Sequence, residues 1–408
     1  MIGNWLKNIG PGPLVAAAFI GPGTVTVCTL AGVGFGFALL WAMVFSIIAT
    51  VVLQEMSARL GIITQKGLSE VIRTEIQHPF FKGLVILLIL SAIVIGNAAY
   101  EAGNISGGVL GLEAIFGDTT IKIGVVSLNG FSLIIGIVAF VILFIGKYKV
   151  LERVLVFLVI LMSLAFLITA VLTKPSLVEI FKGIFKFGVP KGSLLTIIAL
   201  IGTTVVPYNL FLHASLVKEK WHDESDLKFA RKDTLIAVVL GGIVSMCIII
   251  SAASIQTQHI NSAADLALGL EPLFGSFSKY VLAIGLFSAG ITSAITAPLA
   301  AAYVATGCLG WNPSMSSIKF KMVWMIVLGL GIVFSSIGFK SIEIIKFAQV
   351  ANGLLLPLIA GFLIWIMNKS SILGSHKNSL LQNVLSIVIL AVTVFLGLKS
   401  ILNVFNLL

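Results

Sequence analysis

Apolar runs of about 20 residues, each long enough to cross a hydrocarbon core as a helix, recur from one end of this 408-residue chain to the other. Inside a bilayer each backbone N–H and C=O must find a partner within the protein, so such runs are helices packed on one another. Composition agrees. Hydrophobic residues make up 58% and charged residues 10%, with a mean hydropathy of +1.13, whereas a soluble domain carries about 25% charged residues. The expectation is an all-α integral membrane protein with eleven transmembrane helices, at 13–33, 37–58, 83–107, 131–145, 151–172, 194–217, 235–255, 280–307, 322–337, 344–367 and 383–405. No soluble domain fits between them, and no cleavable signal segment is expected at the start. The net charge of +10 does not point to nucleic acid, because the basic residues sit in short loops between apolar runs. That is the positive-inside pattern of a membrane protein. A cytoplasmic N-terminus places most of the 26 Lys and Arg on the cytoplasmic side. Lys174, Lys182, Lys186 and Lys191 then share one loop on the other. Cys28, Cys247 and Cys308 form no CxxC pair and read as buried apolar residues.

Two runs are interrupted by proline in matching places. Gly21-Pro22-Gly23-Thr24 interrupts the first and Val206-Pro207-Tyr208-Asn209 the sixth. A membrane helix opens only where its freed backbone groups meet protein, water or ligand. Paired interruptions, one opening each half of a multi-helix chain, point to the substrate site of a transporter. The chain then reads as one transmembrane domain with a first repeat at 1–172, a second at 194–367 and an extra helix at 383–405. Five helices per repeat would invert the second against the first. The side chains near the breaks, Thr24, Thr26, Thr203, Thr204, Tyr208 and Asn209, are all neutral hydrogen-bonding groups. The site they outline suits a small ion or polar solute held largely by backbone dipoles.

The segments Gly10-Pro11-Gly12-Pro13, Ala18-Phe19-Ile20-Gly21-Pro22-Gly23-Thr24, Leu40-Trp41 and Leu60-Gly61-Ile62-Ile63-Thr64 resemble the opening of NRAMP (natural resistance-associated macrophage protein) metal transporters. Ile201-Gly202-Thr203-Thr204-Val205-Val206-Pro207-Tyr208-Asn209-Leu210-Phe211-Leu212-His213 is similar to their sixth helix. The resemblance spans nearly the whole chain. It implies a LeuT-type fold, a 5+5 inverted repeat with helices 1 and 6 unwound. It also implies where substrate would bind: the carbonyls of Ala18 and Thr203, the side-chain positions Gly21, Thr24 and Val206, and Gln349 in helix ten. In that family an Asp stands at the Gly21 position, an Asn at Thr24 and a Met at Val206, so the usual metal-binding side chains are missing from this divergent member. Mn²⁺ and Fe²⁺ favour carboxylate, imidazole or sulfur, and Mg²⁺ normally takes one or two carboxylates. A dication stripped of water in an uncharged site would cost several kcal/mol. No metal-ligating side-chain set and no cofactor are therefore expected. The expectation is a secondary active transporter of a small ion or polar solute, in a bacterial-type cell membrane, working by alternating access without a standard transition-metal site. The alternative is a divalent cation transporter, for Mg²⁺ or Mn²⁺ held partly hydrated by carbonyls and Gln349, with proton coupling. A second alternative is a non-transporting scaffold or sensor. No Walker motif and no nucleophile–base constellation is visible, so neither ATP-driven transport nor an enzyme is expected.

Two titratable residues inside apolar runs are candidates for coupling. Glu101, in Tyr100-Glu101-Ala102-Gly103-Asn104, is costly at the membrane centre and so reads as a proton or cation site. The resemblance implies the same, since it matches an acid associated with proton movement. His213, about one turn past the second break, is the other. Glu55 reads as an interface anchor. The small residues of 287–298 suit close helix packing, with hydroxyls free to bond across helices. Gln349 and Asn352, three apart, share a helix face.

Overall fold

The computed structural model describes residues 20–123, 126–145, 149–255, 260, 262–311, 314–337 and 339–404. Ala18 and the start of the first expected span lie outside the described residues. The helices that position the site are α1 (Pro22–Phe35), α2 (Leu40–Thr64), α3 (Pro79–Phe116, with a π-helical turn at Ser91–Ile95), α4 (Gly130–Ile145) and α5 (Lys149–Leu172). They continue with α6 (Leu177–Phe185), α7 (Leu194–Thr204), α8 (Pro207–Lys220), α9 (Leu227–Ala252), α10 (Ser278–Leu309), α11 (Ile318–Ser336), α12 (Ser341–Met367) and α13 (Leu380–Val404). Each expected span, where described, falls on these helices, the sixth divided between α7 and α8. Among the described residues, eight helices are long and apolar enough to cross a membrane, or nine if α5 and α6 are joined as one bent span. The α1 and α4 helices are shorter apolar helices.

Three features depart from the sequence reading. The α2 helix runs on to Thr64, which brings Arg59 inside a span with 2% exposure. The chain bends by 116° after α5 into the amphipathic α6, which at nine residues is too short to read as a span. A short antiparallel hairpin, β1 (Thr120–Ile123) and β2 (Val126–Asn129), interrupts the otherwise helical fold.

The centre of the molecule is α3, packed against α10, α11 and α12. Glycines allow the approach. A Cβ on Gly290 of α10 would lie 2.6 Å from the Gly108 nitrogen of α3, and Gly107 meets the ring of Pro22. Small residues are how membrane helices gain close contact. Three hydroxyls of the 287–298 stretch bond within the helix rather than across it. Ser288, Thr292 and Thr296 donate to carbonyls within α10, at 2.7, 3.0 and 2.8 Å.

Candidate functional site

Between α7 and α8 the backbone leaves helical geometry at Val205 (φ −94°, ψ 72°) and Val206 (φ −73°, ψ 120°). At the other break Gly21 is extended (φ −99°, ψ −175°) and α1 begins at Pro22. The second break is narrower than the four residues expected, and the first is described only from Ile20 onward. Pro22, Gly23 and Thr24, like Pro207, Tyr208 and Asn209, already form the first turn of a helix. Proline explains this: its missing N–H costs nothing at the first helical position, and its fixed φ suits the turn.

Three of the expected site residues converge. The hydroxyls of Thr24 and Thr203 are 2.9 Å apart, joining α1 to α7. The Gln349 carboxamide lies over Gly23, so a Cβ there would fall 2.6 Å from the Gln349 Cδ. The Gln349 carbonyl in turn sits against Gly202. Tyr208 packs edge-to-face on Tyr100 of α3, with ring centroids 5.4 Å apart, and both tyrosines lie within electrostatic reach of Glu101. Gly21 and Val206 are buried and bring no polar side chain. Thr24, Thr203, Tyr208, Asn209, Gln349 and Asn352 are all 2% exposed or less.

Several of these buried groups have no hydrogen-bond partner among the described residues: Tyr208 Oη, Asn209 Oδ1 and Nδ2, Gln349 Oε1 and Asn352 Nδ2. A buried unpartnered polar atom costs about 1–3 kcal/mol, and such atoms are rare in folded proteins. They lie on the two α8 residues after the break and on one face of α12; other such atoms lie elsewhere, as on Ser57 and Thr234. Among the described residues, no three His, Cys, Asp or Glu side chains are grouped so as to hold a metal ion.

The two coupling candidates occupy different surroundings. Glu101 is fully buried in α3, accepts a hydrogen bond from Asn104 Nδ2 at 3.3 Å, and keeps Oε1 without a described partner. Gly331 of α11 packs directly on its stem. His213 Nδ1 is 2.7 Å from Gln54 Oε1, joining α8 to α2, and its Nε2 has no described partner. Glu55, read from the sequence as an interface anchor, is 15% exposed and forms ion pairs. It links Arg59 and Arg231 at 3.1 and 2.8 Å, while Arg59 also donates to the His376 carbonyl and Asn378 Oδ1 at 2.6 and 2.8 Å. The sequence reading missed this network, and it missed Tyr100; a tyrosine beside a buried acid was the available signal.

Known proteins resemble this chain over nearly all of its length. The family described as natural resistance-associated macrophage protein-like matches residues 12–403. The divalent metal cation transporter MntH of Bacillus subtilis is 27% identical, over 98% of this chain and 93% of its own. Its namesake from Bradyrhizobium diazoefficiens is 26% identical, over 97% and 88%. Among solved structures, a manganese transporter of Eremococcus coleocola superposes with a TM-score of 0.77 at 19% identity, covering 97% of this chain and 86% of that one. The nucleobase-cation-symport-1 transporter Mhp1 superposes at 0.53 with 14% identity, covering 96% and 93%. The fold is the LeuT-like fold that the paired breaks and the resemblance led us to expect.

Proposed function

We propose, for a chain that belongs to the natural resistance-associated macrophage protein-like family, that it is a secondary transporter whose cargo is a divalent cation carried with part of its water shell. The names of the relatives favour this cation alternative over the expectation of a site unrelated to metal. The observation that carries it is the set of buried oxygens left unpartnered around the breaks: Gln349 Oε1, Asn209 Oδ1 and Tyr208 Oη. Neutral oxygens are hard ligands, suited to a hard cation that keeps several waters. They offer no soft sulfur or imidazole with which to select a transition metal. The cation would enter between α1, α7 and α12, and alternating access would turn on the two half-helices, whose contact is the Thr24–Thr203 pair. Glu101, fully buried and next in sequence to the Tyr100 on which Tyr208 packs, would carry the coupling proton. The membrane would be the cell membrane, with the N-terminus cytoplasmic. No enzymatic step belongs to this reading.

The test is uptake into proteoliposomes containing a divalent-cation indicator. Both Mg²⁺ and Mn²⁺ should enter, with little discrimination, and Gln349→Ala should weaken both. A second reading, a neutral polar solute, is favoured by the unpartnered amide donors Asn209 Nδ2 and Asn352 Nδ2. Absence of any divalent flux, with uptake of a neutral solute, would replace the first reading by the second. Strong selectivity for Mn²⁺ over Mg²⁺ would also refute the hard-oxygen argument.

A further inference from the structure

The loop between α5 and α7 is built unlike the others. After α5 the chain turns through 116°, with Lys174 at a positive φ of 45°, and α6 starts at a Ser176 cap that accepts from the Glu179 N–H. In α6, Leu177, Ile180, Phe181, Ile184 and Phe185 recur at helical spacing, which makes one apolar face. Ile180 and Ile184 pack on the core. Phe181, Phe185 and the following Phe187 are 58%, 70% and 76% exposed. An amphipathic helix with exposed aromatics, set at a large angle to the preceding span, lies in the membrane interface.

Beneath α6 is an open groove of about 690 Å³. One wall carries Lys182 and Lys186, and the other is the turn between α1 and α2, through Phe35, Phe37 and Ala38. Gly183 holds the walls together by packing on the Phe37 carbonyl, and Trp41 at the start of α2 donates to the Gly188 carbonyl at 2.9 Å. The loop from Thr173 to Ser193 contains Lys174, Lys182, Lys186 and Lys191 against a single acid, Glu179. Glu179 is taken by Lys182 at 2.7 Å. No ion pair is described for Lys186. The groove thus combines the charge of Lys186, beside the Lys182–Glu179 pair that also lines it, with a wall from the turn after α1, and the exposed Phe181 and Phe185 stand on the same helix.

We propose that this groove is a headgroup site for an anionic phospholipid of the leaflet on which α6 lies. The phosphate meets Lys186 and Lys182, and the acyl chains run along Phe181 and Phe185. A bound lipid would bridge α6 to the end of α1, the half-helix that must move in alternating access.

The test is lipid retention on the full-length protein in detergent, read by native mass spectrometry, with phosphatidylglycerol and phosphatidylcholine as probes. The wild type should retain phosphatidylglycerol in preference. Lys186→Gln and Lys182→Gln should each cut that preference about fivefold, the effect of one lysine near an anionic surface, while Lys186→Arg should preserve it. These exposed positions should leave the thermal midpoint unchanged. Equal retention of the two lipids, or no loss on Lys→Gln, overturns the proposal. So does displacement of the lipid by millimolar inorganic phosphate, which would make this a site for free anions.

Discussion

The approach of α12 to α7 decides where Gln349 stands, and Gly353→Ala tests it directly. A Cβ on Gly353 would lie 2.5 Å from the Ile198 carbonyl oxygen and 2.7 Å from Ile198 Cγ2. Ordinary contact begins at 3.4 Å, so the two backbones must part by about 0.9 Å, because neither a carbonyl oxygen in a helix nor its partner can swing aside. Overpacking of this kind costs about 1–3 kcal/mol, and the helix propensity gained by alanine returns about 1 kcal/mol. The same substitution at Gly361, also in α12, meets nothing within 4 Å and should be neutral or stabilising. The expected order of thermal midpoints in detergent is Gly361→Ala at or above wild type, and Gly353→Ala below it. The displacement also carries Gln349 away from Gly23, so the KM for uptake should rise in Gly353→Ala and stay unchanged in Gly361→Ala. If Gly353→Ala is as stable as Gly361→Ala with an unchanged KM, the close approach does not position the site.

Other outcomes follow from the same structure. Thr24→Val and Thr203→Val, taken as a double-mutant cycle, should show a coupling of about 1 kcal/mol in stability, the value of one hydrogen bond; additive effects would mean that the hydroxyl pair at 2.9 Å does no joining. Glu101→Gln should leave the fold intact and remove the response of uptake to a pH gradient, whereas His213→Gln, whose described partner is Gln54 on α2, should retain it; an unchanged pH profile in Glu101→Gln would make that acid structural. Arg59→Met should lower stability by about 3 kcal/mol, at the low end for breaking a buried ion pair, because Glu55 keeps Arg231 at 2.8 Å; an unaffected melting curve would refute the role of this clamp. Calorimetry should find Mn²⁺ binding no tighter than Mg²⁺ binding.

What the sequence made legible is what a one-dimensional pattern can hold. Hydropathy adds along the chain, so the spans were readable, and proline acts on its own backbone, so Pro22 and Pro207 located both breaks to within a few residues. What it did not show are relations between distant residues. Arg59 reads as a loop cation until α2 is seen to continue to Thr64 and the carbonyl of His376, 317 residues away, is seen beside it. The α6 helix was missed because nine residues, however apolar, are too few to cross a membrane, although its face is plain once the bend is known. The same limit explains the tension over metal. Position by position, Gly21 and Val206 carry no ligating side chain and Thr24 carries only a hydroxyl. On the proposed reading, however, a cation would be held by oxygens that have no described partner, those on Tyr208, Asn209 and Gln349, which come from α8 and α12. Loss of the ligands read along the chain therefore argues against selectivity for a soft metal, and leaves binding of a hydrated hard cation as the property to measure.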